Sequence, residues 1–273
     1  MAKEVGDALG RFRPLLVAGA ARPAGELRRA LLGEGDPSAL RDASGRQLAP
    51  DDLTDVSVLV YVAEGELARE DERALRLAER AGVERVCVLV ESATGRPAVP
   101  PAGASDLVVV SAGEPLPVGA IAERVAEHAD ELDYVLASRL PPLRRVVAER
   151  IVRRVSRQNG VLGAAIFIPG ADLPALTVNQ LRMVFRIGAA YGERIDRERG
   201  AELVAVVGAG VAFRALAREA LGFVPVAGWA VKGGVAYTGT RALGETAIRY
   251  FERRQENREA PPQHGARSVR PRS

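Results

Sequence analysis

Cysteine, histidine and lysine are scarce in this chain of 273 residues, and each shortage excludes a class of protein. The single cysteine, Cys87, excludes a framework of disulfides and a zinc site made of thiolates. Two histidines, His128 and His264, leave little for histidine-based metal binding or for a Ser-His-Asp triad. The only lysines are Lys3 and Lys232, so arginine carries nearly all of the positive charge. Arginine can bind phosphates or anionic lipid headgroups, although the simpler interpretation places it on solvated faces.

Aromatic residues are also few, at 4%, whereas the chain contains 28 glycines. The core must therefore be built from small aliphatic side chains and from close backbone contacts. Hydrophobic residues amount to 47% and charged residues to 27%, which predicts a folded protein of one large domain or two ordinary ones. The first residues contain no apolar stretch of the secretory kind, so we expect the chain to start from a reducing cytoplasm.

The first half alternates between short apolar runs and amphipathic segments. The run Val56–Val62 is continuous and β-branched, as in a strand that is buried on both faces. Further strands are predicted at Leu15–Ala18, Val86–Val90 and Leu107–Val110, and helices at about Gly25–Leu32, Glu66–Ala81 and Val118–His128. This alternation predicts an α/β domain with a small, doubly wound, mostly parallel sheet. Cys87 is expected in its core, and His128 on a solvated, charged helix face.

From about Asp130 the pattern becomes helical, which predicts an all-α second domain. The segment Leu143–Gln158 reads as a strongly basic amphipathic helix. Three apolar stretches follow, at Val161–Ile168, Leu203–Phe213 and Leu221–Val231, and each is stopped by a charge or a proline. A membrane-spanning helix needs about 20 apolar residues, so none of them qualifies alone. Re-entrant hairpins, interfacial helices and buried core helices all stay open as interpretations.

The segment Leu15–Leu27 has the layout of a phosphate-binding loop, with an apolar run, glycine residues and a helix. Its chemistry does not fit a triphosphate. Glu26 stands where a lysine should neutralise the phosphates, and Leu27 stands where a hydroxyl should bind Mg²⁺. Gly19 and Gly25 are also one residue too far apart for the usual spacing.

Other elements of a nucleotide site are incomplete as well. Asp42–Gly45 matches an Asp-x-x-Gly motif, but no strand is predicted before it, so we interpret the match as a coincidence. After Val90 the chain reads Glu91–Thr94, where a guanine-binding Asn-Lys-x-Asp sequence would be needed. In contrast, Ser111 and Ala112 follow the last strand and match the Ser-Ala element that contacts the guanine ring.

On these residues the first half resembles an Era-type GTPase domain, in strand order and in the position of its Ser-Ala turn. The family implies GTP hydrolysis with Mg²⁺, and the missing side chains predict a scaffold that keeps the fold without the nucleotide. If a nucleotide were still bound, the candidate residues would be Gly19, Arg22, Gly25, Ser111 and Ala112.

The second half resembles another family, through the segments Ile168–Asp172, Gln180–Val184, Ile187–Gly192, Gly222–Gly228 and Thr240–Gly244. This is the GTPase-associated domain of unknown function 697, which includes YcjF-like bacterial inner-membrane proteins. The resemblance covers roughly Leu143 to Phe251. Members of the family often follow a GTPase domain, which is the order found here, and the family has no settled biochemical activity.

We therefore expect a degenerate GTPase-like domain at residues 1–135, a helical domain at 136–256 and a disordered basic tail at 257–273. The leading hypothesis is a non-catalytic scaffold or regulatory protein on the cytoplasmic side of the bacterial inner membrane. Its partners would be anionic lipids and a GTPase or other protein; neither a cofactor nor a nucleic acid is expected. The basic helix and a second arginine group near Arg249 would meet the headgroups, and the expected membrane contacts are Arg153, Arg154, Phe167, Phe213 and Trp229.

Two alternatives belong to other classes. In the first, the chain is a nucleotide-binding GTPase with an atypical loop, in which Arg22 replaces the missing lysine. In the second, the glycine-rich helices form a closed bundle in a soluble, cytoplasmic scaffold that binds a partner protein.

Overall fold

The computed structural model describes residues 12–91, 106–129, 133–165, 173–193 and 229–259. Five parallel strands form one sheet in the order β2-β1-β3-β4-β5. They are β1 (Leu15–Gly19), β2 (Leu40–Ser44), β3 (Val58–Glu64), β4 (Glu84–Val90) and β5 (Leu107–Val110). The predicted class, an α/β region with a parallel sheet followed by a helical region, is confirmed.

The edge strand β2 was missing from the sequence prediction. It pairs with β1 from Leu15 opposite Leu40 to Gly19 opposite Ser44. Within β2 only Leu40 and Ala43 are buried, so its composition is that of a polar connection rather than of a strand. The prediction that no strand precedes the Asp-x-x-Gly match is wrong, because Asp42 lies inside β2.

Apolar layers cover both faces of the sheet. On one face, α1 (Ala21–Leu32) and α3 (Val118–His128) pack Leu27 and Ile121 against the valines of β1, β3 and β4. On the opposite face, α2 (Arg69–Arg80) packs Leu75 against Leu59 and Leu89. Helix α1 begins four residues before its predicted start, whereas α3 has the predicted bounds.

The second half of the described chain is helical throughout. Its helices are α4 (Asp133–Arg139), α5 (Arg144–Ala165), α6 (Leu173–Ala190) and α7 (Trp229–Glu259). Residues 257–259 of the predicted tail therefore lie in α7 and not in a disordered segment, and residues 260–273 are outside the described residues.

Helix α5 runs antiparallel to both α6 and α7. Its later part bonds Asn159 to Thr240 of α7 and to Asn179 of α6. Its first turn instead bonds Arg145 to Glu252, near the end of α7. The end of α6 lies at this same level, where Tyr191 donates a hydrogen bond to Glu252. One end of the three-helix bundle is thus next to the sheet, and the other end points away from it.

The sheet and the bundle share one apolar core. Leu140, just before a 3-10 turn, and Leu143, the last residue of that turn, are buried in one apolar cluster. The cluster also contains residues of β1, β3 and β4 and of α5, α6 and α7. Beside them, Arg139 bonds to Asp36 of the loop after α1, and its guanidinium lies 4.0 Å from the centre of the Phe12 ring. The predicted domain boundary after residue 135 falls inside α4.

Helices α5 and α7 approach each other closely at glycine residues. A Cβ atom at Gly233 would lie 2.8 Å from the carbonyl oxygen of Gly160 and 3.0 Å from the Cβ of Ala164. Further along α7, a Cβ at Gly244 would collide with the side chain of Val152. The cost of glycine in a helix, about 1 kcal/mol relative to alanine, is offset here by close packing of the two backbones.

Gly233→Ala is expected to lower the free energy of unfolding by about 1–3 kcal/mol, because its methyl group has no room beside Gly160. Gly239→Ala is the matched control on the same helix. No atom lies within 4 Å of its Cβ position, so this change is expected to raise stability by up to about 1 kcal/mol. Urea denaturation followed by circular dichroism measures both; equal stabilities of the two variants would contradict the close contact.

Candidate functional site

The end of the bundle that points away from the sheet exposes apolar side chains. We call this region, residues 155–165, 173–182 and 229–244, the bundle tip. Each of its three helices carries one exposed valine, with Val161 at 71%, Val178 at 45% and Val235 at 65% of full exposure. Large apolar side chains that are exposed together on one end of a domain are typical of a surface that contacts a partner or a lipid bilayer.

The charges of the bundle are separated along its axis. The bundle tip contains no aspartate or glutamate, and its charged residues are Arg157, Arg182, Lys232 and Arg241. Arg157 and Arg182 are exposed, whereas Arg241 is paired with Glu245, just beyond the tip. Acidic residues lie at the end next to the sheet. The described residues of the tip therefore combine basic side chains with exposed apolar ones.

A buried layer of polar side chains lies within the tip, on the side that adjoins the apolar core. Asn159 and Thr240 are fully buried there. Thr240 Oγ1 accepts hydrogen bonds from Asn159 Nδ2 at 3.0 Å and from Gln180 Nε2 at 3.2 Å, and Asn179 donates to Asn159 at 2.9 Å. Since each helix contributes to these bonds, a slip of one helix would leave buried polar groups without partners. The layer fixes the register of the three helices.

The predicted basic helix divides its arginines between two roles. Arg144 and Arg145 bond to Gln255 and Glu252 of α7, and Arg150 bonds to the backbone oxygens of Glu127 and Ala129 at the end of α3. These three side chains hold elements of the fold together.

Arg153, Arg154 and Arg157 are exposed on the part of α5 nearer to the tip. The second arginine group lies at the opposite end of the bundle, where Arg254 and Arg258 pair with Glu193.

Of the three predicted aromatic membrane contacts, only Trp229 lies in a described helix. Phe167 and Phe213 lie outside the described residues. Trp229 is the first residue of α7, and so lies at the bundle tip. Within the described ranges, we find no helix with the length and apolar character that crossing a membrane requires.

At the carboxyl end of β1, where the sequence has the layout of a phosphate-binding loop, the connection to the next helix is short. Helix α1 begins at Ala21, two residues after the end of β1. The N–H of Ala20 donates to the carbonyl oxygen of Val62, and the N–H of Gly45 donates to that of Gly19. Both neighbouring strands are thus tied to the β1 connection, and the segment Ala21–Gly25 is helical instead of an open loop.

Three of the candidate nucleotide residues lie at the end of β1 and in the first turns of α1. Arg22 is exposed on α1 and pairs with Glu26 at 3.1 Å. Gly25 lies within α1. A Cβ atom added there would have no atom within 4 Å, so no neighbouring group requires a glycine at this position. Gly19 has φ +106°, and a Cβ there would collide with the carbonyl oxygen of Val62.

Ser111 and Ala112 lie in an exposed turn after β5, in which the carbonyl oxygen of Ser111 accepts a bond from the N–H of Glu114. This turn is at the same edge of the sheet as Gly19. Three strand spacings separate them, which corresponds to about 14 Å.

The prediction that His128 lies on a solvated helix face is wrong. Its Nδ1 lies 3.0 Å from Glu84 and its Nε2 lies 2.7 Å from Asp106, so it connects the end of α3 to the sheet. The side chain of His128 is only 19% exposed to solvent. Cys87 is buried as predicted, and burial raises the pKa of its thiol to about 11, which makes it unreactive. No cluster of metal-ligating side chains occurs among the residues that the structure describes.

The comparisons with known proteins bear on the second half of the chain. A family model described as "Domain of unknown function (DUF697)" matches residues 128–269, which is just over half of the chain. The match includes the helices of the bundle and the bundle tip. No curated protein matches the sequence.

The two glycines of the predicted phosphate loop are expected to differ in their response to alanine. Gly19→Ala should cost at least about 2 kcal/mol of stability, because of its positive φ and the contact with Val62. Gly25→Ala should stabilise α1 by up to about 1 kcal/mol. Thermal unfolding of the two variants measures the difference; a destabilised Gly25→Ala variant would mean that residues 21–25 form an open loop.

Proposed function

Since the chain belongs to the DUF697 family, a domain of unknown function, we propose that it is a non-catalytic scaffold that docks on an anionic lipid bilayer. The observation that carries the proposal is the bundle tip, with one exposed valine on each of three helices and no acidic residue. The bilayer in question is the bacterial inner membrane, approached from the cytoplasmic side. The resemblance of the second half to inner-membrane proteins agrees with this placement.

Two physical contributions act together at the tip. Arg157 and Arg182 lie where they would meet anionic headgroups, and each basic side chain near such a surface contributes about 1 kcal/mol. The valines would enter the region between headgroups and acyl chains, where burial of apolar area adds to the attraction. The polar layer keeps the three helix ends at one level, so that the valines can meet the same surface.

We further propose that the first half is a pseudo-GTPase, a sheet domain that serves as a scaffold without a nucleotide. The argument is geometric and chemical. Backbone N–H groups of Ala20 and Gly45 bond within the fold, and Arg22 is paired with Glu26. A triphosphate would face this carboxylate with no lysine on the loop.

The double variant Arg157→Glu/Arg182→Glu is expected to lose vesicle binding. Flotation of the full chain with vesicles of phosphatidylcholine and phosphatidylglycerol measures it. Removal of two favourable charges makes the free energy of vesicle binding less favourable by about 2 kcal/mol, which corresponds to a roughly 30-fold weaker partition onto the vesicles. Reversal of the sign of both charges weakens the partition further. Binding by the unchanged protein should also weaken as salt is raised.

The matched control is Arg249→Glu/Arg253→Glu, which changes the net charge equally on exposed arginines near the sheet end of α7. This control should float like the unchanged protein. Equal losses in both double variants would mean that net charge, and not the tip, drives binding. A chain that never floats, even at low salt, would favour the alternative of a closed, soluble scaffold.

Calorimetric titration with GTP or ATP in the presence of Mg²⁺ is expected to show no saturable binding, with any dissociation constant above about 1 mM. The physical reason is that the carboxylate of Glu26 offsets the charge of Arg22 beside the loop. Micromolar binding that is lost in Arg22→Ala would establish the other hypothesis, a nucleotide-binding protein with an atypical loop.

A further inference from the structure

A groove lies on the face of the sheet opposite the bundle. It has a volume of about 480 Å³ and runs between α2 and the segment after β2. Leu48, Ala74 and Leu77 supply its apolar surface, and Arg73, Arg76 and Arg80 line it with cationic side chains. Leu48 and Ala74 belong to the apolar cluster on this face of the sheet, so the groove rests on packed side chains.

The arginines follow the period of the helix. Arg69, Arg73, Arg76 and Arg80 are spaced at i, i+4, i+7 and i+11, which places them along one side of α2. All four are exposed. A stripe of this length can meet two or three turns of a partner helix.

Two acidic residues of α2, Asp71 and Glu79, are engaged away from the groove. Asp71 accepts bonds from the hydroxyl of Tyr61 and from the N–H of Ala68. Glu72 pairs with Arg76. Glu79 lies 3.8 Å from Arg85 of β4.

Arg73 and Arg80 therefore have no acidic partner among the described residues, although Glu70 also lines the groove. Glu72 neutralises Arg76, and the two charges of Arg73 and Arg80 exceed the single charge of Glu70, so the groove keeps a positive charge.

We infer that this groove binds an acidic, amphipathic segment of a partner protein. Carboxylates of the segment would pair with Arg73 and Arg80, and its apolar side chains would contact Leu48 and Leu77. Both kinds of contact are needed, because exposed ion pairs alone contribute little whereas apolar contacts alone give no preference for charge. An apolar strip edged by charges of one sign is the arrangement by which grooves accept amphipathic helices.

The inference is independent of membrane docking. Helix α2 packs on one face of the sheet, and the bundle joins the core on the other. A segment held in the groove would thus leave the bundle tip free, and the chain could connect a bilayer to a partner.

The probe is a short, fluorescein-labelled amphipathic peptide of Glu, Ala and Leu, titrated with the full chain and followed by fluorescence anisotropy. Two comparison peptides carry Lys in place of Glu, or Ala in place of Leu. The acidic amphipathic peptide should bind at least tenfold more tightly than either. Arg73→Glu/Arg80→Glu should weaken it by about tenfold or more, and Arg73→Lys/Arg80→Lys by less.

Arg157→Glu/Arg182→Glu and Arg249→Glu/Arg253→Glu are the controls, and both should bind the peptide like the unchanged protein. Thermal unfolding confirms that each variant is folded. The inference is overturned if the acidic peptide does not bind, or if either comparison peptide binds equally well. It is also overturned if Arg73→Glu/Arg80→Glu abolishes vesicle flotation or dissociates a dimer in sedimentation, because the groove would then serve a bilayer or a second copy of the chain.

Discussion

The burial of Leu140 and Leu143 between the sheet and the bundle fixes the orientation of the helix bundle relative to the sheet. These side chains belong to one apolar cluster with strands β1, β3 and β4 and with helices α5, α6 and α7. Arg139 reinforces the joint by bonding to Asp36 and Ser38. Because the two halves share this core, the bundle cannot turn freely on the sheet, and its tip is directed away from the α/β region.

Along the axis of the bundle, the type of side chain changes with distance from the sheet. Apolar side chains such as Ile187 and Phe251 pack next to the sheet, the bonded layer of Asn159 and Thr240 follows, and exposed valines come last. Burial of the polar layer costs little stability while every hydrogen bond in it is made. Its bonds allow only one register of the three helices. Docking by the tip and binding in the α2 groove would then act on opposite sides of one rigid unit.

Short, hydrogen-bonded connections follow β1 at the carboxyl edge of the sheet. Parallel strands bring their ends together at one edge, and this places Gly19 and the Ser111 turn where ligands of such sheets commonly bind. Here α1 begins directly after β1, and the nearby N–H groups bond to neighbouring strands. The topology by itself therefore does not specify an activity.

The sequence determined the elements whose burial is complete. The β-branched run in β3 and the apolar periodicity of α3 predicted both elements, because strong local patterns reflect burial on fixed faces. The exposure of Arg153 and the absence of acidic residues from the tip segments were also readable in the sequence. Only the tertiary structure decided the rest: β2, the partners of His128, and the location of three exposed valines near one end of the bundle. Those features depend on contacts between residues far apart in the chain, such as Asn159 with Thr240, and no local pattern records which distant side chain will complete a hydrogen bond.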